Sequence, residues 1–220
     1  MISGNANPDI DPANNDTLAG TLRFTMYKYL QNINGMLPAK VIKYDRDTNR
    51  VQVQLLIAMV TTEGAQVSRS QIASLPVLVL GGGNSFISFP INPDDLGWVI
   101  ASDRDISLFL QTYQETAPNT ARIHNFADGL FVPDIMRNFT INSEDEDNLV
   151  ISSKDGLTRI AIGGGTVKIT APTVTIESPA ITLDGPVDVT GILTGNAGAN
   201  LTGTITLTGL GAFPYVITPT

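Results

Sequence analysis

The chain has no cysteine and a single histidine, so two of the side chains most used as metal ligands and catalytic groups are absent or nearly absent. Without cysteine there is no disulfide framework and no thiol chemistry. Aromatic residues make up only 6% of the sequence, which is low for one large globular core. No apolar run approaches the ~20 residues that a membrane-spanning helix requires. The N-terminal stretch is polar and has no basic region, so it is not predicted to be a signal peptide.

The acidic composition argues against one class of partner. The formal net charge is −8 and the isoelectric point is near 4.5, which disfavours binding to a polyanion such as nucleic acid. Phe86, Phe89 and Trp98 could stack on single-stranded bases, but no basic groove accompanies them in the sequence. We therefore expect no nucleic-acid partner.

A seven-residue repeat runs through the C-terminal part of the chain, over residues 167–194: VKITAPT, VTIESPA, ITLDGPV and DVTGILT. The first and third positions of the first three units are apolar, which is the alternation of a β-strand. Proline recurs at Pro172, Pro179 and Pro186, and this excludes a coiled coil because proline breaks a helix. The predicted core positions are Val167, Ile169, Val174, Ile176, Ile181 and Leu183.

Strands this short cannot bury their apolar residues alone. A stack of them is stable only when neighbouring strands, or neighbouring chains, close a common core. The repeat therefore predicts a rigid rod. Residues 189–220 contain no charged residue, which argues against a free disordered tail and favours tight winding.

The rest of the chain is predicted to be mostly β. Residues 1–37 would be an N-terminal arm and helix, with the helix over 21–34 packed on its own domain or on another subunit. Five or so short strands in residues 38–113 fit an OB-type barrel. Residues 114–139 show no clear period and are predicted to be a connector, and the rod occupies residues 140–220. The predicted fold class is therefore all-β.

The search for catalytic residues is mostly negative. His124 lies in the predicted connector, so a histidine metal site could form only by symmetry, and no G-x-S-x-G elbow accompanies it. Acidic residues at 94–95 and 103–105 flank the strand that contains Trp98 and could act on glycans, but loop caps and ion pairs are the commoner role. The acidic run 144–147 lacks EF-hand spacing and is predicted to be a solvated turn. We expect no enzyme activity, no cofactor and no bound metal.

Three segments follow one another in a recognisable order. They are GMLPAKVIKYDRDTNRVQVQLLI at 35–57, LPVLVLGGGNSFISFPINPDDLGWVIASDRDI at 75–106 and DGLFVPDI at 128–135. Together they resemble the barrel domain of the central baseplate spike of contractile-tailed bacteriophages, and the resemblance covers residues 22 to about 165. It implies a homotrimer whose C-terminal part is an intertwined triple-stranded β-helix. Some of these spikes bind iron at the apex through a His-x-His pair, which is absent after His124, so no metal is carried over.

The resemblance also implies a role. The protein would be a structural virion component of the tail baseplate, made in the host cytoplasm, that pierces the bacterial outer envelope when the sheath contracts. Its partners would be two further copies and baseplate hub proteins at the N-terminal side. At the far end, Phe213, Pro214 and Tyr215 would either form an apical cap with their symmetry mates or receive a separate tip protein.

An alternative function comes from a different class of protein. A trimeric β-helix can also be a tail-fibre or adhesin module that binds cell-surface polysaccharide. Such a module needs a groove lined by aromatic residues and carboxylates, and the C-terminal half of this chain has few aromatics.

Overall fold

The computed structural model of the chain describes residues 17–31, 33–61, 64–192 and 194, in two units that divide between Pro172 and Thr173. The regular structure of these residues is mostly β. Helix α1 is Leu18–Gln31, helix α2 is Phe109–Thr112, and a short 3₁₀ helix is Ser143–Asp145. The strands are β1 (Met36–Asp45), β2 (Arg50–Leu55), β3 (Met59–Val60), β4 (Gln66–Val67), β5 (Ile72–Pro76), β6 (Leu80–Gly82), β7 (Ser85–Ile87), β8 (Leu96–Ser102), β9 (Asn125–Pro133), β10 (Leu149–Ser152), β11 (Arg159–Gly163) and β12 (Thr166–Thr170). Within the described ranges, no helix has the length and apolar character needed to cross a membrane.

Helix α1 begins after a threonine that caps it. The Gly20 amide donates to Thr17 Oγ1 at 3.0 Å, and the Thr21 amide donates to the Thr17 carbonyl at 2.9 Å. The helix predicted from the sequence is therefore present, but it starts and ends three residues earlier. Gly35 lies four residues beyond the end of the helix, and its carbonyl accepts a hydrogen bond from the Ala101 amide of β8 at 2.8 Å.

Five strands form a nearly closed, barrel-like sheet in the order β5-β2-β1-β8-β9. A parallel bridge between Val77 and Phe131 brings the end of β5 against β9 and so connects the two edges of the sheet. Alternate residues of β1 and β2 point inward, as strand geometry requires. The resulting core consists of Ala39, Val41, Val51, Val53, Leu55, Leu75, Val77, Val99, Phe126 and Phe131. The barrel-like, mostly β architecture is confirmed, and its assignment to the OB type stays a prediction.

The fifth strand of this sheet lies in residues that the sequence assigns to a connector. β9 pairs antiparallel with β8, and its Phe131 is fully buried. A side chain at Gly97 of β8 would collide with the Phe131 ring and the Val132 carbonyl, so glycine is required there. Asp128 and Gly129 interrupt the apolar alternation of β9, and for this reason the strand was not predicted.

Residues 106–110 could end the predicted barrel as a last strand, but in the structure this segment leads into the helical turn α2. The Leu110 amide donates to the Ile106 carbonyl at 3.0 Å, and the Tyr113 amide donates to the Phe109 carbonyl at 2.7 Å. Tyr113 ends the turn in the left-handed conformation, with φ of 52°. A short apolar run such as ISLFL does not distinguish a strand from a buried helical turn.

Strands β10, β11 and β12 form a separate three-stranded antiparallel sheet. These are the strands that the sequence predicts at NLVISS, TRIAIG and VKITAP. Residues 171–192 and 194 form neither strand nor helix in the single chain. The triple-stranded β-helix and the trimer therefore stay predictions.

The chain leaves the barrel through a strained turn. The Asn138 amide donates to the Ile135 carbonyl at 2.9 Å, and the two residues between them have positive φ, 49° at Met136 and 67° at Arg137. Positive φ at both central positions is the pattern of a type I′ turn, which favours Asn and Gly. Other side chains there lie close to the following carbonyl, at a cost of about 1–2 kcal/mol per residue.

Asp134 holds this turn against β8. Its Oδ1 accepts a hydrogen bond from the Met136 amide at 2.9 Å, and its Oδ2 accepts one from Trp98 Nε1 at 2.7 Å. The Asp134 amide donates in turn to the Leu96 carbonyl at 3.1 Å. These bonds lower the pKa of Asp134, the one from the Met136 amide most strongly. The Asp134 carboxylate, to which Trp98 and the Met136 amide both donate, thus offsets the strain of the turn.

Replacing the strained pair with Asn-Gly should stabilise the protein. In Met136→Asn/Arg137→Gly both residues tolerate the left-handed conformation, so we expect unfolding to cost roughly 1–2 kcal/mol more. Thermal denaturation followed by circular dichroism measures the change. Met136→Val is the opposing control and should lower the melting temperature, because a β-branched residue fits positive φ poorly. A double variant that melts at or below the melting temperature of the native chain would contradict the inference that this turn is strained.

Candidate functional site: an uncovered apolar face

One face of the three-stranded sheet consists entirely of apolar side chains. Residues directly opposite each other in antiparallel strands share a face of the sheet, and the pairing register places six branched residues in two rows of three. One row is Leu149, Ile162 and Val167, and the other is Ile151, Ile160 and Ile169. Their exposed fractions range from 36% at Ile160 to 65% at Leu149. In the single chain this apolar face lies open to solvent.

The opposite face of the same sheet is partly covered. Its rows are Val150, Ala161 and Lys168, and Ser152, Arg159 and Thr170. Ala161 and Arg159 are buried, and Glu144 and Asp145 of the 3₁₀ helix bind the Arg159 side chain. The described residues therefore cover one side of this sheet and leave the other side bare.

An ion-pair cluster holds the 3₁₀ helix on the covered face, and we refer to Glu144, Asp145, Arg159 and Lys168 as the clamp. Arg159 Nε donates to Asp145 Oδ2 at 2.6 Å, and Arg159 Nη2 donates to Glu144 Oε1. Lys168 Nζ donates to Glu144 Oε2 at 2.8 Å. Arg159 Nη1 also donates to the Gly156 carbonyl at 3.1 Å. A buried arginine is stable only when its donors are satisfied in this way.

The clamp shifts the titration of its carboxylates. The hydrogen bond from Arg159 holds the pKa of Asp145 below its ordinary value, and the bond from Lys168 does the same to the pKa of Glu144. The Asp145 side chain is almost fully buried. The acidic run 144–147 was predicted to be a solvated turn, and that prediction is wrong for Asp145, which is an internal partner of β11.

Beyond the sheet, the predicted core positions of the repeat are exposed as well. Val174, Ile176, Ile181 and Leu183 have exposed fractions of 54% to 68%. With Val167 and Ile169 of β12, all six predicted core residues are thus solvent-facing in the single chain. The predicted apical residues Phe213, Pro214 and Tyr215 lie outside the described residues.

Residues 37–134 match the family model of the phage protein Gp138 N-terminal domain. The match begins in β1 and ends just after β9, so it covers the barrel-like sheet and stops before the three-stranded sheet. The match supports the prediction that the protein is a structural protein of a phage, and it is consistent with a component of the virion. No curated protein shows a significant match to the chain.

Within this Gp138-like region, a second charged cluster, in which two buried aspartates bind a partly exposed arginine, connects a loop to the barrel. Arg122 donates to both carboxylate oxygens of Asp128, at 2.9 and 2.8 Å, and to Asp105 Oδ2 at 3.1 Å. Thr120 Oγ1 donates to the same Asp105 oxygen at 2.6 Å, and the Ser107 amide donates to the other at 2.9 Å. The pKa of Asp105 is lowered by the bonds from Thr120 and Ser107 and by the charge of Arg122. These contacts bind the segment between β8 and β9 to the barrel, which is a structural role.

The acidic pair 94–95 shows the contacts of loop caps and ion pairs, as the sequence predicts. Asp94 Oδ1 lies 2.9 Å from Lys40 Nζ, and Asp95 Oδ2 accepts a hydrogen bond from the Asn92 amide at 2.8 Å. The His124 carbonyl accepts a bond from Asn34 Nδ2 at 2.9 Å. No group of three or more His, Asp or Glu residues in the described part of the chain is arranged to hold a metal ion.

Four residues of the apolar face were missing from the predicted core. Leu149 and Ile151 alternate in NLVISS, and Ile160 and Ile162 alternate in TRIAIG. The same two-residue spacing as in the repeat was present, but these strands lie before the first seven-residue unit. The alternation of apolar residues could therefore have identified these four positions, although they lie outside the seven-residue repeat.

The clamp should make the stability of the three-stranded sheet depend on pH. The pKa of Asp145 in the folded chain lies below its unfolded value of 3.8. The clamp therefore stabilises fully above that value, and its contribution is lost as the pH falls towards the lower folded pKa. We expect Asp145→Asn to melt several degrees below the native chain at pH 7, and the difference to narrow at pH 3.

Asp147→Asn is the matched control for this prediction. It removes the same charge from the same acidic run, but at an exposed position. It should leave the melting temperature nearly unchanged at both pH values. Equal effects of the two substitutions would show that the clamp does not stabilise the sheet.

Proposed function

We propose that the protein is the trimeric central spike of a contractile phage tail baseplate, which pierces the bacterial outer envelope when the sheath contracts. The observation that carries this proposal is the bare apolar face of β10–β12, continued by exposed apolar residues at seven-residue spacing up to Leu183. The match to a phage Gp138 N-terminal domain over the barrel supports the phage origin. The resemblance of the barrel segments to baseplate spikes supports the finer assignment.

Three copies provide the cover that one chain lacks. If the apolar faces of three chains turn towards a common axis, the two rows of each sheet and the repeat positions that follow form one dry core. The clamp of each copy would then lie on the outside, where Glu144 and Lys168 meet water while Asp145 stays buried against Arg159. Closing the sheets around an axis also removes open strand edges that would otherwise pair with foreign chains.

A spike of this kind has a mechanical role and requires no active site. Force comes from the contracting sheath, and the rod must stay folded under axial load. If each seven-residue unit adds one layer at the strand spacing of ~4.8 Å, the C-terminal part forms a short rod on the order of 50 Å. The predicted apical residues would either cap the axis or receive a separate tip protein.

The N-terminal helix offers a surface towards the rest of the baseplate. Leu18, Leu22, Met26 and Tyr29 recur at four- and three-residue spacing on one side of α1, and each is more than half exposed. Of the two roles open for this helix, docking on another subunit accounts for this exposure. We assign baseplate hub proteins to this side of the molecule.

Assembly can be tested with one substitution at two neighbouring positions. Ile176→Asp would place three carboxylates on the axis of the rod, where each desolvated charge costs several kcal/mol. Thr175→Asp adds the same charge on the outer side of the same strand. Both side chains are exposed in the single chain, so only assembly distinguishes them. We expect light scattering to report three times 23.4 kDa for the native chain and Thr175→Asp, and a smaller mass for Ile176→Asp. A native chain that is monomeric would rule out the trimer.

The place of the protein in the particle provides a separate test of the spike role. Gold-labelled antibodies against the barrel should mark phage particles once, on the axis at the distal end of the tail. Labelling of fibres that project sideways from the tail would contradict the spike and favour the fibre or adhesin alternative. Contracted tails should keep the label at the end of the tube.

A further inference from the structure

The barrel carries two exposed apolar hairpins in a stretch of sequence that is almost free of charge. Residues 51–93 contain only two charged residues, Glu63 and Arg69, which have opposite signs. An exposed protein surface is normally rich in charged side chains. Depletion of charge, together with exposed aliphatic and aromatic residues, is characteristic of the core of a protein–protein interface. The charge pattern therefore indicates that this part of the barrel is covered in the assembled protein.

The β6–β7 hairpin is apolar on both of its faces. Leu80 lies opposite Ile87, so these two side chains share one face, and Phe86 lies opposite Gly81 on the other face. Their exposed fractions are 55% at Leu80, 52% at Ile87 and 72% at Phe86. A hairpin that exposes apolar side chains on both faces is suited to insertion against a neighbouring molecule.

The β3–β4 hairpin forms a second and different patch. Met59 lies opposite Val67, and Val60 follows Met59 in β3. All three side chains are exposed by more than two fifths. Leu56 and Ile57, which lead into the hairpin, are exposed to a similar extent. The patch is aliphatic and has no aromatic residue, so it differs in shape and chemistry from the β6–β7 hairpin.

The topology places the two hairpins at opposite ends of the same strand. β5 runs antiparallel to β2, with Ile72 opposite Val53 and Pro76 opposite Arg50. The β3–β4 hairpin connects the end of β2 to Ile72, and the β6–β7 hairpin follows Pro76. Each hairpin is a two-stranded sheet separate from the barrel sheet. The barrel therefore presents two unlike apolar patches that extend from opposite ends of β5.

We propose that the β6–β7 hairpin of one copy docks on the β3–β4 hairpin of the next copy, so that the three barrels form a ring. This inference rests on the proposed trimer. Contacts in a threefold ring are heterologous, which means that each copy must offer two different patches. The two unlike patches on each barrel meet this requirement, which favours a second copy as the occupant. The net charge of −8 on each copy opposes contact through charged surface, whereas residues 51–93 carry no net charge.

The absence of cysteine from the chain makes this contact directly testable. In the full-length variant Phe86→Cys/Met59→Cys the only thiols are the two introduced ones. Mild oxidation, or a short bis-maleimide, should then produce covalent dimers and trimers on a denaturing gel. Each single variant should give no cross-link, because a heterologous contact does not bring two copies of the same residue together. Phe86→Cys/Asp47→Cys is the matched control, with the second thiol on the exposed turn between β1 and β2, and it should give none.

The outcomes separate this inference from the trimer itself. Cross-linking that requires both thiols supports the ring contact. Dimers formed by Phe86→Cys alone would show that the hairpin meets its own symmetry mate, which overturns the proposal. A double variant that has three times the chain mass by light scattering but forms no cross-link would overturn the ring contact and leave the trimer standing. A native chain that is monomeric would overturn both.

Discussion

The buried ion pair between Arg159 and Asp145 determines which side of the three-stranded sheet remains bare. A sheet has two faces, and this chain provides a cover for only one of them. The arginine reaches into the covered face and is satisfied by Asp145, Glu144 and the Gly156 carbonyl. With that side occupied, six branched apolar residues point the other way. Nothing within the described residues covers them, and the proposed trimer would bury them.

The chain thus combines a part with its own core and a part without one. The barrel buries Val41, Val53, Leu75 and Phe131 within a single copy, and it is the part that matches a phage domain. From β10 onward, Ala161 is the one apolar residue that is buried in the described part of the chain. The barrel therefore has a core of its own, whereas the described segment after it would gain most of its stability from the proposed association. This division suits a spike, in which a folded collar carries a rod of several chains.

Much of this organisation could be predicted from the sequence. Strand alternation located β1, β2, β8, β10, β11 and β12, and the seven-residue repeat identified the apolar positions that the structure leaves exposed. The prediction failed where a local signal was ambiguous. β9 was missed because Asp128 and Gly129 break its alternation, and Asp128 is buried only because Arg122 pairs with it. Such a pair joins residues whose contact depends on the tertiary fold, and no local pattern reveals it.

The same limit applies to the acidic run. Four consecutive acidic residues suggest a solvated turn, since like charges normally avoid burial. Asp145 is buried because Arg159, two strand elements later, supplies both charge and hydrogen bonds. In contrast, the alternation of apolar and polar residues in the strands, together with their register, is enough to predict the apolar face. Periodic features were therefore predictable, and pairings between distant charged residues were not.

The β10–β12 sheet is a meander of neighbouring strands whose clamp lies within the same short segment, and this has a consequence for the order of assembly. All its backbone pairings join adjacent strands, so the sheet can form early and within one chain. The newly synthesised monomer would then expose the preformed apolar face of this sheet before it meets other chains. If the protein forms the proposed trimer, association of three chains competes with irregular aggregation at that stage, and the rates of the two processes depend differently on chain concentration. In the proposed trimer the clamp would therefore also act during assembly, because it holds the apolar face in one fixed strand register and so favours ordered association.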